Sequence, residues 1–353
     1  MDQRAARMRT AMDALYYSGA WRAIAPVARG RGLIFMLHRV LPGAKGTRTD
    51  AFDPNGFLAV TPEFLDLALR KSREAGLDLV DLDEAALRLR TGEGGSFACF
   101  TLDDGYRDNR DHALPVFERH DCPLTVYVAS GFASRTHAPW WVMVERVLGQ
   151  GRPVCFAVDG VASQVGGPDI GAQQAGFERI AQLYNGASGD AATTAMSDFA
   201  ARNGVDIAAL AAELTMGWDE LDVFTRHPLV TLGAHTVSHP VLAALDTESA
   251  RREFADGADT MERHLGYRPR HGAYPYGHDW AAGPREFELA ADLGFATAVT
   301  TRKGVLFGEH GRHLTALPRV SLNGDYQLAR YLDVLISGTA FALLNRFRRV
   351  NAA

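Results

Sequence analysis

Only three of the 353 residues are cysteine (Cys99, Cys122 and Cys155), and no two of them form a CxxC pair. A cysteine-built zinc site is therefore absent, and the odd count argues against a disulfide framework and for a reducing compartment. Cys99 and Cys122 lie in apolar surroundings and read as reduced core residues. No uninterrupted apolar run approaches the roughly 20 residues a membrane-spanning helix needs. The opening stretch MDQRAARMRTAMDALYYSGAW has neither the apolar centre nor the small-residue cleavage site of a secretory signal. The expected location is the cytoplasm. A basic excess is missing as well. Lys and Arg total 37 against 42 Asp and Glu, for a net charge of -5. That leaves no global field for nucleic acid, and none is expected as a partner. There is no internal repeat.

What remains is an ordinary globular composition, 47% hydrophobic and 22% charged. Charge is uneven only at the ends. Arg4, Arg7, Arg9, Arg22, Arg29 and Arg31 crowd the first segment, and RFRRV (346–350) stands near the last. These read as solvated helix faces, with peripheral contact to an anionic membrane as the alternative.

Strand and helix signals alternate, the pattern of an α/β architecture. GLIFMLHRV (32–40), SFACFTLDDGY and CPLTVYVAS read as buried strands, and so does the start of HPLVTLGAHTVSHP. Later strand candidates are RHGAYPYG, FATAVTT and LPRVSL. Helices are expected from Thr61, with Pro62 in its first turn and Gly76 as its stop, and over 106–120. Others are expected over 247–265, opened by Thr247 and closed by Gly266, over Pro284–Leu293, and over 326–348 with a break near Gly338. Residues from about 132 to 224 break this rhythm and read as a partly helical insertion forming a cap, with 160–176 as a Gly-rich loop. The divisions are thus a basic helical segment at 1–31, an α/β unit at 32–325 carrying the insertion, and a helical segment at 326–353.

Three motifs carry chemistry. FTLDDGY (100–106) ends an apolar strand with two carboxylates, Asp103 and Asp104, and Gly105 permits a sharp turn. Packing does not explain charges at that position, although an Asp-Gly turn with a helix cap is the plainer reading. HTVSHP (235–240) places His235 and His239 four residues apart, again at a strand end. Two imidazoles so spaced can share one ion. Together with one carboxylate they form a tripod that leaves a position open for water, while a second carboxylate is free to act as base. AYPYG (273–277) uses Pro275 and Gly277 to make a tight loop able to aim a backbone N–H at an oxyanion.

In this order, FTLDDGY, HTVSHP and AYPYG resemble the polysaccharide deacetylase family (carbohydrate esterase family 4, the NodB-homology domain), over roughly 32–132 and 225–325. The resemblance implies a distorted (β/α)7 barrel with the site at one mouth. It implies Asp103 as base, Asp104, His235 and His239 as metal ligands, and the Tyr276 N–H as oxyanion donor. The cofactor is then a divalent metal, zinc first, though the donor set accepts other first-row ions. An acetylated saccharide is the expected substrate.

Two departures stand out. The third motif usually opens with an Arg that braces the base; Ala273 stands there, and Arg319 in LPRVSL is the candidate substitute, with a surface Arg beside Pro318 as the alternative. The general acid is commonly a late Leu-x-His histidine. His310 and His313 lie instead in the polar GEHGRH, so His38 in FMLHRV is preferred; that segment resembles the first strand of deacetylases acting on β-1,6-linked N-acetylglucosamine polymers. Trp140 and Trp141 read as anchors of the insertion, with stacking on sugar as the alternative, as for Trp218 and Trp280. The expected reaction is N-deacetylation. O-deacetylation or other amide hydrolysis on the same centre, and a non-catalytic carbohydrate-binding protein, are the rivals.

Overall fold

Short apolar runs bounded by turn residues become parallel strands, as their length and composition require. In the computed structural model, which describes residues 3–48, 50–350 and 352, seven of them close into a barrel: β1 (Gly32–Leu37), β2 (Phe97–Leu102), β3 (Leu124–Val128), β4 (Val230–Ala234), β5 (His271–Ala273), β6 (Thr297–Lys303) and β7 (Leu317–Ser321). Met1, Asp2, Thr49, Asn351, Ala353 and the side chains of Gln3, Arg4 and Ala5 lie outside the description. Each strand pairs with its sequence neighbour, and β1 pairs with both β7 and β2, which closes the ring. A short strand, Asp78–Leu79, adds to β2 outside the ring. Helices follow most strands, but only a 3-10 turn (Gly308–Arg312) joins β6 to β7, so the (β/α)7 barrel is distorted.

Side-chain alternation builds two cores. Leu33, Phe35 and Leu37 of β1 and Ala98, Phe100 and Leu102 of β2 face the surrounding helices. Ile34, Phe97, Cys99, Tyr127, Ala273, Val299 and Leu317 fill the barrel. The segment from Trp140 to Leu214 packs a third cluster of its own around Phe156, Ile180, Tyr184 and Phe199.

Several elements differ from expectation. The helix at Thr247–Leu265 is capped by Asp246, whose Oδ1 accepts from Ser249 N–H at 2.8 Å, and not by Thr247. The expected helix over 106–120 contains a π-turn at Asn109–Ala113 just before Pro115, which has no N–H for the α-helical ladder. The Gly-rich stretch 160–176 is not a loop. Val154–Val158 and Val161–Val165 form a hairpin through Asp159 (φ 51) and Gly160 (φ 75), both in the left-handed region that a tight two-residue turn demands. Asp169 then caps a helix at Ile170–Gly186, its Oδ1 accepting from Ala172 N–H.

At the ends, helices Gln3–Tyr17 and Ala20–Ala28 pack against Ala329–Ile336 and Thr339–Leu344. Met12 is buried there, and Arg330 pairs with Asp13 at 2.6 Å. Among the described residues no helix is long and apolar enough to cross a membrane.

Candidate metal centre and active site

Strand parity aims the first carboxylate. Phe97 and Cys99 of β2 point into the barrel, so Asp103, in step with them just past the strand, points in at the mouth. The next residue should face outward. Asp104 adopts φ 73 instead, and this break in the alternation brings the second carboxylate to the same mouth. Gly105 (φ 67) continues the turn. In β4, Val230, Leu232 and Ala234 face the helices, so His235 falls on the inward set. His239 arrives by a loop in which Thr236 (φ 64) and His239 (φ 62) are both left-handed.

Asp104 Oδ1 lies 3.5 Å from His235 Nε2 and 3.5 Å from His239 Nε2. All three side chains are buried, and their donor atoms fall within 4.8 Å of one another. His235 Nδ1–H donates to the Ala273 carbonyl at 2.8 Å, which orients the ring and turns Nε2 toward the carboxylate. Asp104 Oδ1 is buried with no hydrogen-bond partner among the described residues. An orphaned carboxylate oxygen facing two imidazole nitrogens is a donor set suited to a cation.

The electrostatics agree. Burial pushes the Asp104 carboxyl up, but the imidazoles around it outweigh burial and hold it below the usual range. Burial pushes His239 down to about 3, so its ring is neutral and free to ligate. For His235 burial acts downward too, yet Asp104 and Asp103 together raise it above its ordinary value. The pocket thus draws positive charge to this point.

Asp103 has a different partner. Arg319, on the inward set of β7 and fully buried, donates from Nη1 and Nη2 to its two oxygens, each at 2.7 Å. The guanidinium is itself fixed by Nε donating to the Thr300 carbonyl (2.8 Å) and Nη1 to Thr101 Oγ1 (3.1 Å). Burial raises the Asp103 pKa, but the Arg319 charge and hydrogen bonds prevail and bring it to about 2. The His38 ring, 22% exposed, sits with Nε2 3.9 Å from Asp103 Oδ2.

Tyr276 has φ 60, and its carbonyl accepts from Thr301 Oγ1 while the Gly277 carbonyl accepts from Thr301 N–H. Gly277 is required: a Cβ there would stand 2.5 Å from the Thr301 nitrogen. The Tyr276 N–H finds no acceptor among the described residues. Its ring packs edge-on to His239 at 5.0 Å, and its hydroxyl accepts from Trp140 Nε1–H at 2.9 Å.

Asp103, Asp104, His38, His235, His239, Tyr276 and Arg319 therefore meet at one barrel mouth. His310 and His313 do not join them. His310 is buried, with Nδ1 accepting the Phe307 N–H, and His313 is exposed. Trp140 and Trp141 are both buried, and the Trp141 ring lies 4.9 Å from His239. Trp218 stacks on His264, whereas Trp280 is half exposed beside Tyr276. Sequence reasoning missed Tyr106, whose hydroxyl accepts from Trp141 Nε1–H, and the clamp of Thr101 and Thr300 on Arg319. Tyr106 had a signal, as it closes FTLDDGY; the two threonines had none.

The family model described as polysaccharide deacetylase matches residues 183–298. That span takes in HTVSHP and AYPYG, begins inside the stretch read as an insertion, and leaves FTLDDGY outside it. No curated protein matches the chain. Solved structures share the fold. The Streptococcus pyogenes deacetylase PplD, in complex with acetate, is 16% identical with a TM-score of 0.54, covering 83% of this chain and 93% of that one. IcaB from Ammonifex degensii is 19% identical with a TM-score of 0.51, over 86% and 97%. A de-N-acetylase from Aggregatibacter actinomycetemcomitans is 11% identical with a TM-score of 0.53, over 83% and 95%. Residues 183–298 are thus similar to the polysaccharide deacetylase family, and the barrel that unites all three motifs has the fold of these solved deacetylases.

Proposed function

We propose that the chain removes N-acetyl groups from an amino sugar in a glycan, releasing acetate, at a divalent metal held by Asp104, His235 and His239. One observation carries the reading: a partnerless buried carboxylate oxygen faces two imidazole nitrogens at 3.5 Å, beside a second carboxylate kept ionised by arginine. Such a metal, zinc first among the candidates, lowers the pKa of water and polarises a carbonyl oxygen when bound.

The remaining chemistry belongs to the chain. Asp103 accepts a proton as water attacks the acetamide carbonyl carbon. Arg319 occupies one edge of that carboxylate and leaves the other facing the mouth. Arg319 holds the Asp103 pKa down to about 2, so the carboxylate is ionised and able to accept that proton. The Tyr276 N–H donates to the oxygen that becomes negative. His38, more exposed than Asp103, supplies a proton to the leaving amine nitrogen. A cleft of about 460 Å³ runs between the loop at 41–58 and helix Trp140–Leu148 and is lined by Arg39, Asp53, Asn55, Tyr106, Trp141 and Glu145. It supports binding of sugar units flanking the scissile one.

The test is acetate release from N-acetylated and O-acetylated oligosaccharides, with and without chelator. Release from the N-acetylated substrate, abolished by chelator and restored by zinc, is expected. Release only from the O-acetylated substrate, or indifference to chelator, overturns the reading. Bound metal without turnover on either favours a binding protein.

We also propose that the terminal helices rest on an anionic bilayer surface. Tyr17, Val27, Leu343, Leu344 and Phe347 are exposed, with the exposed cations Arg22, Arg346 and Arg348 among them. Exposed apolar side chains together with exposed arginines on the same terminal segments complement anionic headgroups, although the whole chain carries a net charge of -5.

A further inference from the structure

The loop carrying His239 is held in a conformation its own residues disfavour. Thr236 is β-branched and stands at φ 64, and His239 stands at φ 62. Side chains larger than glycine keep such angles only where surrounding contacts impose them. On one side, the Thr236 and Val237 carbonyls accept from the N–H groups of Ser130 (3.0 Å) and Gly131 (2.9 Å). Within the loop, Thr236 Oγ1 accepts from the His239 N–H at 3.2 Å. Among the described residues, the Glu253 side chain on helix Thr247–Leu265 holds the loop from the other direction. Its Oε2 accepts from the N–H groups of Val237 (2.9 Å) and Ser238 (3.0 Å), and its Oε1 from the Ser238 hydroxyl (2.8 Å).

The helix is built to bring this carboxylate close. Ala250, Phe254, Ala258 and Met261 are fully buried and seat it on the barrel. Gly257, one turn beyond Glu253 on the same face, lies so near the loop that a Cβ would stand 2.9 Å from the Thr236 carbonyl carbon and oxygen. Glu253 therefore meets the loop at a fixed distance, and it meets the two N–H groups between the left-handed residues. Releasing them would free Val237 and Ser238 to rotate and carry His239 Nε2 away from Asp104.

We propose that Glu253 is a positioning residue for the metal centre, clamping the Val237 and Ser238 N–H groups so that His239 converges with His235 and Asp104. The proposal rests on the reading that these three residues hold a divalent metal. Its test reads the metal directly, through Zn(II) affinity by competition with a chromophoric chelator and through the visible spectrum of the Co(II)-loaded protein. Glu253→Ala should weaken Zn(II) binding by about 10- to 100-fold, as loss of an outer partner of a ligand does. The Co(II) bands should also shift and weaken, with circular dichroism unchanged. Glu253→Gln is the rescue. Its amide oxygen accepts from the same two N–H groups and its amide nitrogen donates to the Ser238 oxygen, so Zn(II) affinity should stay within about threefold of the parent.

An Ala variant that binds Zn(II) as the parent does, with the same Co(II) spectrum, overturns the proposal and leaves the metal site standing. A Gln variant as damaged as the Ala variant overturns it also, because charge and not the clamp would be responsible. A parent that binds neither ion overturns both the proposal and the metal-site reading. If Glu253→Ala does not fold, Glu253→Asp carries the same test, since withdrawing the carboxylate by one methylene breaks the clamp while keeping the charge.

Discussion

Replacing Arg319 with methionine removes a buried cation while keeping much of its volume. In the native protein neither partner meets much water, the side chains being 0% and 4% exposed, and both Asp103 oxygens accept from the guanidinium. Burial alone would lift the Asp103 pKa above 3.8, but Arg319 brings it to about 2. That gap corresponds to roughly 2.4 kcal/mol in favour of the folded, ionised form. The folded pKa is depressed, so this contribution is present above pH 3.8 and is lost as pH falls through about 2. In the methionine variant the carboxylate stays buried without a partner, its pKa rises above 3.8, and the contribution changes sign at neutral pH. Removing one partner of a buried pair costs about 3–5 kcal/mol. Urea unfolding of the metal-free proteins should show a deficit of that size near neutral pH, and the deficit should shrink as pH falls toward the raised pKa. Asp103→Asn combined with Arg319→Met should recover part of it, because no charge is then left unpaired. A variant within about 0.5 kcal/mol of the parent, inside the scatter of ordinary surface substitutions, would refute the reasoning. A deficit constant with pH would assign the loss to packing.

Asp103→Asn should cut acetate release by about 10²–10⁴-fold with zinc content unchanged by elemental analysis; full activity would remove Asp103 from its role. His239→Ala should lose both zinc and activity while circular dichroism stays native, and zinc retained at parental affinity would contradict its assignment as a ligand. Trp141→Ala should cost about 3–5 kcal/mol in urea unfolding, as truncating a buried tryptophan does. It also strips packing from His239 and the hydrogen bond from Tyr106, so parental stability would argue against the anchoring role. The protein should co-sediment with anionic vesicles and not with neutral ones, and Leu344→Glu with Phe347→Glu should abolish this. Equal recovery from both vesicle types, or from neither, ends the membrane proposal.

Much of the site was legible because its signals are local. Gly105 and Gly277 announce turns, and the paired carboxylates and histidines stand at the ends of apolar strands. The hairpin at Val154–Val165 is legible too, since Asp159-Gly160 between alternating residues is a turn signal, though the Gly-rich composition around it resembles a loop. Arg319 was reached only indirectly, from the alanine at 273. Nothing within LPRVSL distinguishes a surface arginine from one buried against an aspartate 216 positions away. Glu253 carries no motif at all, and its role follows only from where a helix docks.

From the sequence alone come the strand order, the turn positions and the residue types able to hold a cation, since periodicity, left-handed turns and side-chain chemistry act over a few neighbouring residues. Convergence belongs to the closed barrel. Strand pairing and the inward parity of β2, β4 and β7 decide that Asp103, Asp104, His235 and Arg319 share one mouth. Close packing then desolvates them, and desolvation is what gives a single guanidinium the strength to fix the charge of Asp103.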